Sequence, residues 1–228
     1  PEIKSQILNF SLESSDESKT IFVQDGAIFI NNGIDIKKVI NIESIKIPGK
    51  HNIYNVMAAI GVAYVFGVGV EEIRRAVANF SGVAHRLELV REIKGVKYYN
   101  DTAATIPDAA IQSLNCFTSP IILIAGGTDK KLEFSEFGKE IYRKTKKVIL
   151  LKGTATEKLL VEIKKNYIND NLVRISVVDS MEKAIKEASE LAGEGDIVLL
   201  SPGAASFGLF LNEFDRGNKF KEEVKKLK

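Results

Sequence analysis

Residues 121–131 read IILIAGGTDKK. An unbroken apolar run, Ile121–Ala125, ends there in two glycines and a group of polar side chains. An apolar run of this length, bounded by glycine, is typical of a strand that is buried on both faces of a sheet. Residues 197–206, which read IVLLSPGAAS, repeat the arrangement with different turn residues after the strand. The two stretches predict a parallel sheet that is covered by helices on both faces.

Further strands and helices alternate around these two stretches. Val148–Leu151 and Val173–Val178 are short apolar runs, and Arg86–Ile93 with Val96–Tyr99 is the pattern of a hairpin. Amphipathic helices are predicted over Pro107–Cys116, Glu133–Arg143, Thr154–Asn166, Ser180–Ala192 and Asp215–Leu227. The alternation predicts an α/β unit with a six-stranded, mixed or parallel sheet that begins near Arg86.

The first part of the chain has a different pattern. It contains three β-rich segments, and Asp25-Gly26 within the second is a hairpin-turn signal. These segments are Gln6–Leu12, Thr20–Ile30 and Val39–Ile47, and two helices are predicted after them, over Asn52–Phe66 and Val70–Phe80. Ser81-Gly82 then breaks the pattern. We therefore predict two domains, of residues 1–83 and 84–228.

Composition excludes several classes of protein. The chain has 228 residues and a net charge of +2, which gives no reason to expect nucleic acid or an acidic membrane surface as a partner. Cys116 is the only cysteine, so the chain has no internal disulfide, and with two histidines a metal site is not expected. The apolar stretch Val56–Val70 would span about 22 Å as a helix, short of a bilayer core of about 30 Å. No signal peptide is visible, and we expect a cytoplasmic protein.

Three of the predicted strands end in loops of small and polar residues, at residues 100–105, 126–131 and 201–206. In an open α/β sheet, ligands bind beyond the carboxyl ends of the strands. Small residues let backbone N–H groups approach a ligand, and helix N-termini favour anions. Thr105 could instead be a helix-start signal, Ser206 a helix cap and Lys130 a solvated lysine. The residues alone therefore indicate an α/β domain with an anion-binding edge.

Five sequence motifs carry a more specific resemblance. They are GKHNIYNVMAA at 49–59, HRLE at 85–88, NDTAAT at 100–105, GGTDK at 126–130, and SPGAASF at 201–207 followed by DRGNKF at 215–220. In this order and spacing they resemble the Mur ligase superfamily, and in particular its D-glutamate-adding members. Relatives that add L-alanine or diaminopimelate would show Asp-Tyr-Ala-His at the third motif, where this chain has DTAA.

The resemblance implies a fold and an activity. Residues 1–83 would be the end of the central ATP-binding domain, and 84–228 a Rossmann-like C-terminal domain that binds the incoming amino acid. The whole protein would be an ATP-dependent, ADP-forming acid–amino-acid ligase of peptidoglycan synthesis. Its substrates would be D-glutamate and UDP-N-acetylmuramoyl-L-alanine, and it would join them through an acyl phosphate.

The resemblance also implies site residues. Contacts to ATP would come from Asn52, Asn55, Arg86 and Asp101. The D-glutamate carboxylates would be held by Thr105, Lys130, Ser206 and the backbone of Phe207. Residue chemistry suits these roles, because a dianion needs a cation and several donors, and an asparagine matches the donor and acceptor of an adenine edge. Asn52 could instead cap its helix, and His85 could be purely structural.

Some family features are missing or altered. Ala103 stands where some members have lysine, and Glu213 where some have an aromatic residue. A P-loop, Gly-x-x-x-x-Gly-Lys-Ser/Thr, does not occur in the sequence. The Mg²⁺ ligands of the family also lie upstream of these motifs. Since the first residue is Pro1, we expect a piece of a longer protein, without a complete catalytic set and inactive alone.

Two alternatives remain beside the ligase. A dinucleotide-binding oxidoreductase half is disfavoured, because no Gly-x-Gly-x-x-Gly follows a strand. A non-catalytic module that binds a nucleotide or another anion stays open.

Overall fold

The computed structural model describes residues 7–14, 20–166 and 174–228. The chain divides into two compact units, of residues 1–82 and 83–228. Gln6 and Val173, the first residues of two predicted strands, lie outside the described residues.

The first unit has a four-stranded sheet with two helices. Its strands follow the chain in order and are β1 (Asn9–Ser11), β2 (Thr20–Gln24), β3 (Ala27–Asn31) and β4 (Ile36–Asn41). β1 and β2 are parallel, and the other pairs are antiparallel. Asp25 and Gly26 form the predicted turn between β2 and β3, both with positive φ, as a two-residue hairpin turn requires.

The helices of the first unit lie after the sheet in sequence. A 3-10 turn, Ile42–Ser44, precedes α1 (Lys50–Val65) and α2 (Val70–Asn79). Met57 and Ile60 of α1 are buried in the same apolar cluster as Ile28 of β3. The helix that contains the 49–59 motif is therefore fixed by its apolar face.

The second unit contains the predicted six-stranded sheet. Its strands are β5 (Glu88–Ile93), β6 (Val96–Asn100), β7 (Ile121–Gly126), β8 (Thr145–Leu151), β9 (Arg174–Val178) and β10 (Ile197–Leu200). Their order across the sheet is β5-β6-β10-β7-β8-β9. The edge strand β5 is antiparallel to β6, and every other pair is parallel. The predicted α/β class is confirmed.

Helices cover both faces of this sheet. They are α3 (Pro107–Leu114), α4 (Ser135–Lys144), α5 (Thr154–Lys165), α6 (Met181–Leu191) and α7 (Glu213–Lys226). Successive residues of β7 alternate between two apolar clusters: Leu123 packs in the cluster of α3, α4 and α5, and Ile124 in that of α6 and α7. This alternation explains why the strands read as unbroken apolar runs.

Two elements of the second unit begin earlier than the sequence predicts. β8 starts at Thr145 rather than Val148, because the ammonium of buried Lys147 pairs with Glu187 at 2.8 Å and the charge is tolerated in the strand. α7 starts at Glu213 rather than Asp215, because the Asn212 side chain caps it by accepting the Asp215 N–H at 2.9 Å.

Candidate functional site

The three small-residue loops follow three neighbouring strands. Residues 100–105 lie at the end of β6, residues 201–206 follow β10, and residues 126–131 lie at the end of β7. β10 lies between β6 and β7, and all three are parallel, so the loops leave the same edge of the sheet. The three loops of small and polar residues are therefore neighbours.

Backbone hydrogen bonds join the three loops. The Gly203 N–H donates to the Ala104 carbonyl at 2.9 Å, and Thr128 and Ala205 exchange both of their backbone bonds at 2.8 and 3.1 Å. Gly127 has a φ of 137°, and a Cβ there would lie 2.2 Å from the Ala205 carbonyl oxygen. Glycine is therefore required for the loops after β7 and β10 to approach this closely.

The carboxylate of Asp101 is buried beneath the loops. One oxygen accepts from the hydroxyls of Ser113 at 2.5 Å and Ser201 at 2.8 Å, and the other accepts the Leu87 N–H at 3.1 Å. Burial raises the pKa of Asp101 above its ordinary value, and the hydrogen bonds oppose part of that rise. The carboxylate thus ties together four segments of the second unit.

The raised pKa of Asp101 predicts a pH dependence of stability. An acid whose folded-state pKa is raised destabilises the fold when ionised, and the loss is relieved as the pH falls through that pKa. Relative to Asp101→Asn, the wild-type free energy of unfolding is expected to rise as the pH falls from about 7 toward the ordinary carboxyl range. Urea unfolding of both proteins across this range measures it. If the difference in free energy of unfolding between the two proteins did not change with pH, the pKa of Asp101 would not be raised by folding.

Arg216 of α7 lies fully buried under the same loops. Its guanidinium donates to the Thr102 hydroxyl at 2.9 Å, the Thr102 carbonyl at 3.0 Å and the Ala204 carbonyl at 3.1 Å. Burial lowers its pKa to about 10. Arg216 was quoted as part of the 215–220 motif, and no role was predicted for it. Arg216, Phe220 and Val224 follow one another at intervals of four residues and are all buried, and this spacing was the signal that Arg216 faces inward.

A second polar cluster surrounds His85. The ring Nδ1 of His85 lies 3.0 Å from the Asn100 side-chain nitrogen. The backbone N–H of His85 donates to the Glu88 carboxylate at 2.8 Å. Glu88 also pairs with Lys221 of α7 at 3.2 Å. Burial, with a smaller contribution from Lys221, lowers the pKa of His85. These contacts join the 85–88 motif to β6 and α7, and they support the structural role for His85.

Three of the residues predicted for D-glutamate, Thr105, Lys130 and Ser206, lie on the three joined loops, and the fourth, Phe207, directly follows the loop after β10. Lys130 and Phe207 are exposed, Thr105 is half-buried and Ser206 is buried. The Phe207 carbonyl accepts from the Thr128 hydroxyl. Two of the alternatives are wrong: the residue before α3 is Ile106 rather than Thr105, and the cap of the helix that follows Ser206 is Asn212.

The residues predicted for ATP lie in both units. Asn52 and Asn55 lie on α1, where Asn52 donates to the Pro48 carbonyl at 2.7 Å and accepts from the Asn55 side chain at 3.1 Å. Asn52 does not cap the helix, whose first flanking residue is Gly49, so that alternative is wrong. Asn55 is exposed with its orientation fixed by Asn52, and Arg86 of the second unit is exposed.

The positions that depart from the family pattern differ in exposure. Ala103 is exposed on the loop after β6 and offers no polar side chain. Glu213 is half-buried at the start of α7, and its carbonyl accepts from the Thr102 hydroxyl at 2.9 Å. Glu213 therefore helps to fix the loop through its backbone.

The segment that carries most of these contacts also matches a known family. Residues 85–203 match the family described as Mur ligase, glutamate ligase domain. The chain belongs to the Mur ligase family. The matched segment runs from His85 to Gly203, and so includes the loops after β6 and β7 and the start of the loop after β10.

Relatives within the Mur ligase family are similar over nearly the whole chain. The UDP-N-acetylmuramoylalanine--D-glutamate ligase of Caldanaerobacter subterraneus subsp. tengcongensis is 42% identical over 225 residues, which are 99% of this chain and 48% of the relative. A ligase of the same name from Roseiflexus sp. is 49% identical over 182 residues, 80% of this chain and 39% of the relative. The chain thus spans about half the length of the curated relatives it matches.

Solved Mur ligase structures share the fold. A pseudomurein peptide ligase type C from Methanothermus fervidus aligns over 92% of this chain and 42% of its own, with a TM-score of 0.63 and 17% identity. The UDP-N-acetylmuramate-alanine ligase of Thermotoga maritima aligns over 90% of this chain and 45% of its own, with a TM-score of 0.62 and 16% identity.

Two further findings concern the described residues of this Mur ligase chain. Residues 7–14, 20–166 and 174–228 contain no group of three or more His, Cys, Asp or Glu side chains that could hold a metal ion. Within the same residues, no helix is long and apolar enough to cross a membrane.

Proposed function

We propose that the chain forms the C-terminal half of an ATP-dependent ligase that adds D-glutamate to UDP-N-acetylmuramoyl-L-alanine in peptidoglycan precursor synthesis. One observation carries the proposal: three loops with an exposed cation, hydroxyl groups and close-packed glycines leave one edge of a parallel sheet. The names of the relatives that match 99% and 80% of this chain support the choice of amino acid.

The amino-acid site is proposed to use four residues. Lys130 supplies the cation, Thr105 and Ser206 supply hydroxyl donors, and the backbone of Phe207 completes the set. D-Glutamate carries two carboxylates, and charge-assisted hydrogen bonds to such groups are the strong ones. Residues on loops that are hydrogen-bonded to each other hold their donors at fixed separations, which lowers the ordering cost of binding a short dicarboxylate.

The adenine of the nucleotide is proposed to contact Asn52 and Asn55 of the first unit, and a nucleotide contact from Arg86 stays a prediction. Asn55 suits an adenine edge, because its amide is exposed and offers both a donor and an acceptor. A direct contact from Asp101 stays a prediction. Since both of its oxygens accept hydrogen bonds from the protein, its buried carboxylate favours a positioning role. The chain offers no P-loop, and Mg²⁺ ligands are expected elsewhere in the longer protein.

ATP, when bound, supplies the phosphoryl group that activates the acceptor carboxylate. The residues of this chain bind and orient the second substrate. Lys130 and Ser206 hold the D-glutamate carboxylates so that its amine faces the activated carbonyl. Fixing an attacking amine in this way converts a bimolecular encounter into an effectively intramolecular step.

The proposed function is tested with the longer protein that contains this chain. Amide formation from UDP-N-acetylmuramoyl-L-alanine is measured with ATP and with D-glutamate, L-glutamate or D-aspartate. We expect product with D-glutamate and a much lower kcat/KM with the other two. Absence of product with every amino acid would contradict the ligase and favour a non-catalytic nucleotide- or anion-binding module.

The 228-residue chain by itself is expected to show no turnover, because it contains no P-loop to hold the ATP phosphates. Phosphate release that depends on ATP, D-glutamate and the acceptor measures this. A full-length relative, such as the Caldanaerobacter ligase, is the positive control. Clear turnover by the chain alone would show that the phosphate-binding groups do not lie upstream.

A further inference from the structure

Asp129 fixes the loop after β7 on both sides of Lys130, through its carboxylate on one side and its N–H on the other. One oxygen of Asp129 accepts the N–H of Lys131 at 2.8 Å and that of Leu132 at 3.2 Å. The N–H of Asp129 donates to the Thr154 hydroxyl at 2.9 Å. The residues before and after Lys130 are therefore held in place, although Lys130 itself is exposed.

The other oxygen of Asp129 pairs with the ammonium of Lys158. Lys158 and Thr154 lie four residues apart on α5, and so on one face of that helix. The same helix thus holds Asp129 through its backbone and through its side chain. We call Asp129, Thr154 and Lys158 the Asp129 clamp. The hydrogen bond from Lys158 is the main reason why the pKa of Asp129 is lowered, which keeps the carboxylate ionised.

The clamp holds a backbone conformation that the chain does not favour. Lys131 has a φ of 62°, in the left-handed region, which a residue with a side chain rarely adopts. The bonds from Asp129 to the N–H groups of Lys131 and Leu132 stabilise this conformation locally. If Asp129 loses its fixed side-chain orientation, the loop has freedom to relax at Lys131, and the Lys130 side chain moves with it.

We propose that Lys158 is a positioning residue for the amino-acid site: through Asp129 it fixes the backbone on which Lys130 presents its ammonium. This inference rests on the proposed function, in which Lys130 holds a D-glutamate carboxylate. In this proposal Lys158 acts through Asp129, with which its ammonium pairs, and not through a contact with the substrate.

A double-mutant cycle in the longer protein tests the clamp. Lys158→Ala removes one exposed ion pair and is expected to raise the KM for D-glutamate about two- to fivefold, with the KM for ATP unchanged. Asp129→Ala also removes the acceptor of two N–H groups, and a larger rise is expected. The double variant is expected to match Asp129→Ala, since both changes act through one interaction. Lys158→Arg is expected to restore most of the wild-type KM.

Lys183→Ala is the matched control. Lys183 lies on α6 and pairs at 2.7 Å with Asp179, which follows β9 as Asp129 follows β7. Removing this pair deletes the same charge from a comparable exposed position outside the clamp. The KM for D-glutamate is expected to stay at the wild-type value.

A second measurement uses this chain without substrates. Amide hydrogen exchange at Lys131 and Leu132 is expected to be faster in Lys158→Ala than in the wild type, and unchanged in Lys183→Ala. This separates a loosened loop from a general loss of structure.

Each other outcome is decisive. If the effects of the two single changes were additive, Lys158 would act independently of Asp129 and the inference would be wrong. Turnover with an unaltered KM for D-glutamate in Lys158→Ala would overturn the clamp and leave the ligase assignment intact. Absence of D-glutamate-dependent turnover in the wild type would overturn the proposed function, and this role of Lys158 with it.

Discussion

Replacing Lys130 with alanine is expected to raise the KM for D-glutamate about 10- to 150-fold in the longer protein. The reason is that a substrate carboxylate loses its cationic partner, and a hydrogen bond to a charged group contributes about 1.5–3 kcal/mol. Each 1.4 kcal/mol corresponds to about a tenfold change in affinity. Ser206→Ala is expected to have a smaller effect, because a neighbouring N–H can replace part of the lost bond. Steady-state kinetics with each substrate varied in turn measures both variants.

Lys152→Ala is the control for Lys130→Ala. Lys152 is exposed directly after β8, so its removal changes the charge at the same edge of the sheet without touching the three joined loops. Its KM for D-glutamate is expected to change little. The KM for ATP is expected to be unaffected in both variants. A rise in the KM for ATP alone in Lys130→Ala would assign that loop to the nucleotide instead.

Replacing Arg216 with alanine is expected to destabilise the second unit by about 3–5 kcal/mol. The change leaves a cavity and removes the donors that serve the Thr102 and Ala204 carbonyls, each of which is costly to leave unpaired. Arg216→Met fills most of the volume and lacks the donors, so comparing the two variants separates packing from hydrogen bonding. Under conditions in which the amides of β7 exchange with solvent only when the whole unit unfolds, their hydrogen-exchange rates measure its free energy of unfolding.

Lys225→Ala, at an exposed position on the same helix, is the control and is expected to change the stability by no more than about 0.5 kcal/mol. Equal stabilities of Arg216→Ala and the wild type would contradict the view that the guanidinium holds the loops together. The catalytic effect of Arg216→Ala in the longer protein is expected to follow from displaced loops, since Arg216 is fully buried.

The strands of the second unit were predictable because burial on both faces leaves a clear sequence pattern. Ile197–Leu200 has the predicted bounds, and the run from Ile121 extends by one residue to Gly126. The bounds of a strand were predicted less well where the strand contains a buried charged side chain. Lys147 is buried in β8 and pairs with Glu187. Because the two residues are 40 positions apart, the sequence around Lys147 gives no sign of its partner.

The loops of the site were predictable from their composition, but their supports were not. Lys130 and Ser206 lie in loops of small and polar residues that follow apolar strands, and both features are visible in the sequence. Asp101, by contrast, has the motif position of a ligand contact, and only the fold reveals that Ser113 and Ser201 surround its carboxylate. Long-range partners of this kind depend on the order of strands in the sheet, which the alternation of elements does not specify.

That order has a consequence for the biosynthesis of the protein. β6 and β7 are not neighbours, and β10, the last strand along the chain, is the one that joins them. A nascent chain that has left the ribosome only as far as Asp196 therefore holds two separate half-sheets, the hairpin of β5 and β6 and the group of β7, β8 and β9. Arg216, which binds the loops from beneath, follows later still. Assembly of the edge that carries the three loops thus waits until residues 197–216 have been made, however early the loops after β6 and β7 are made.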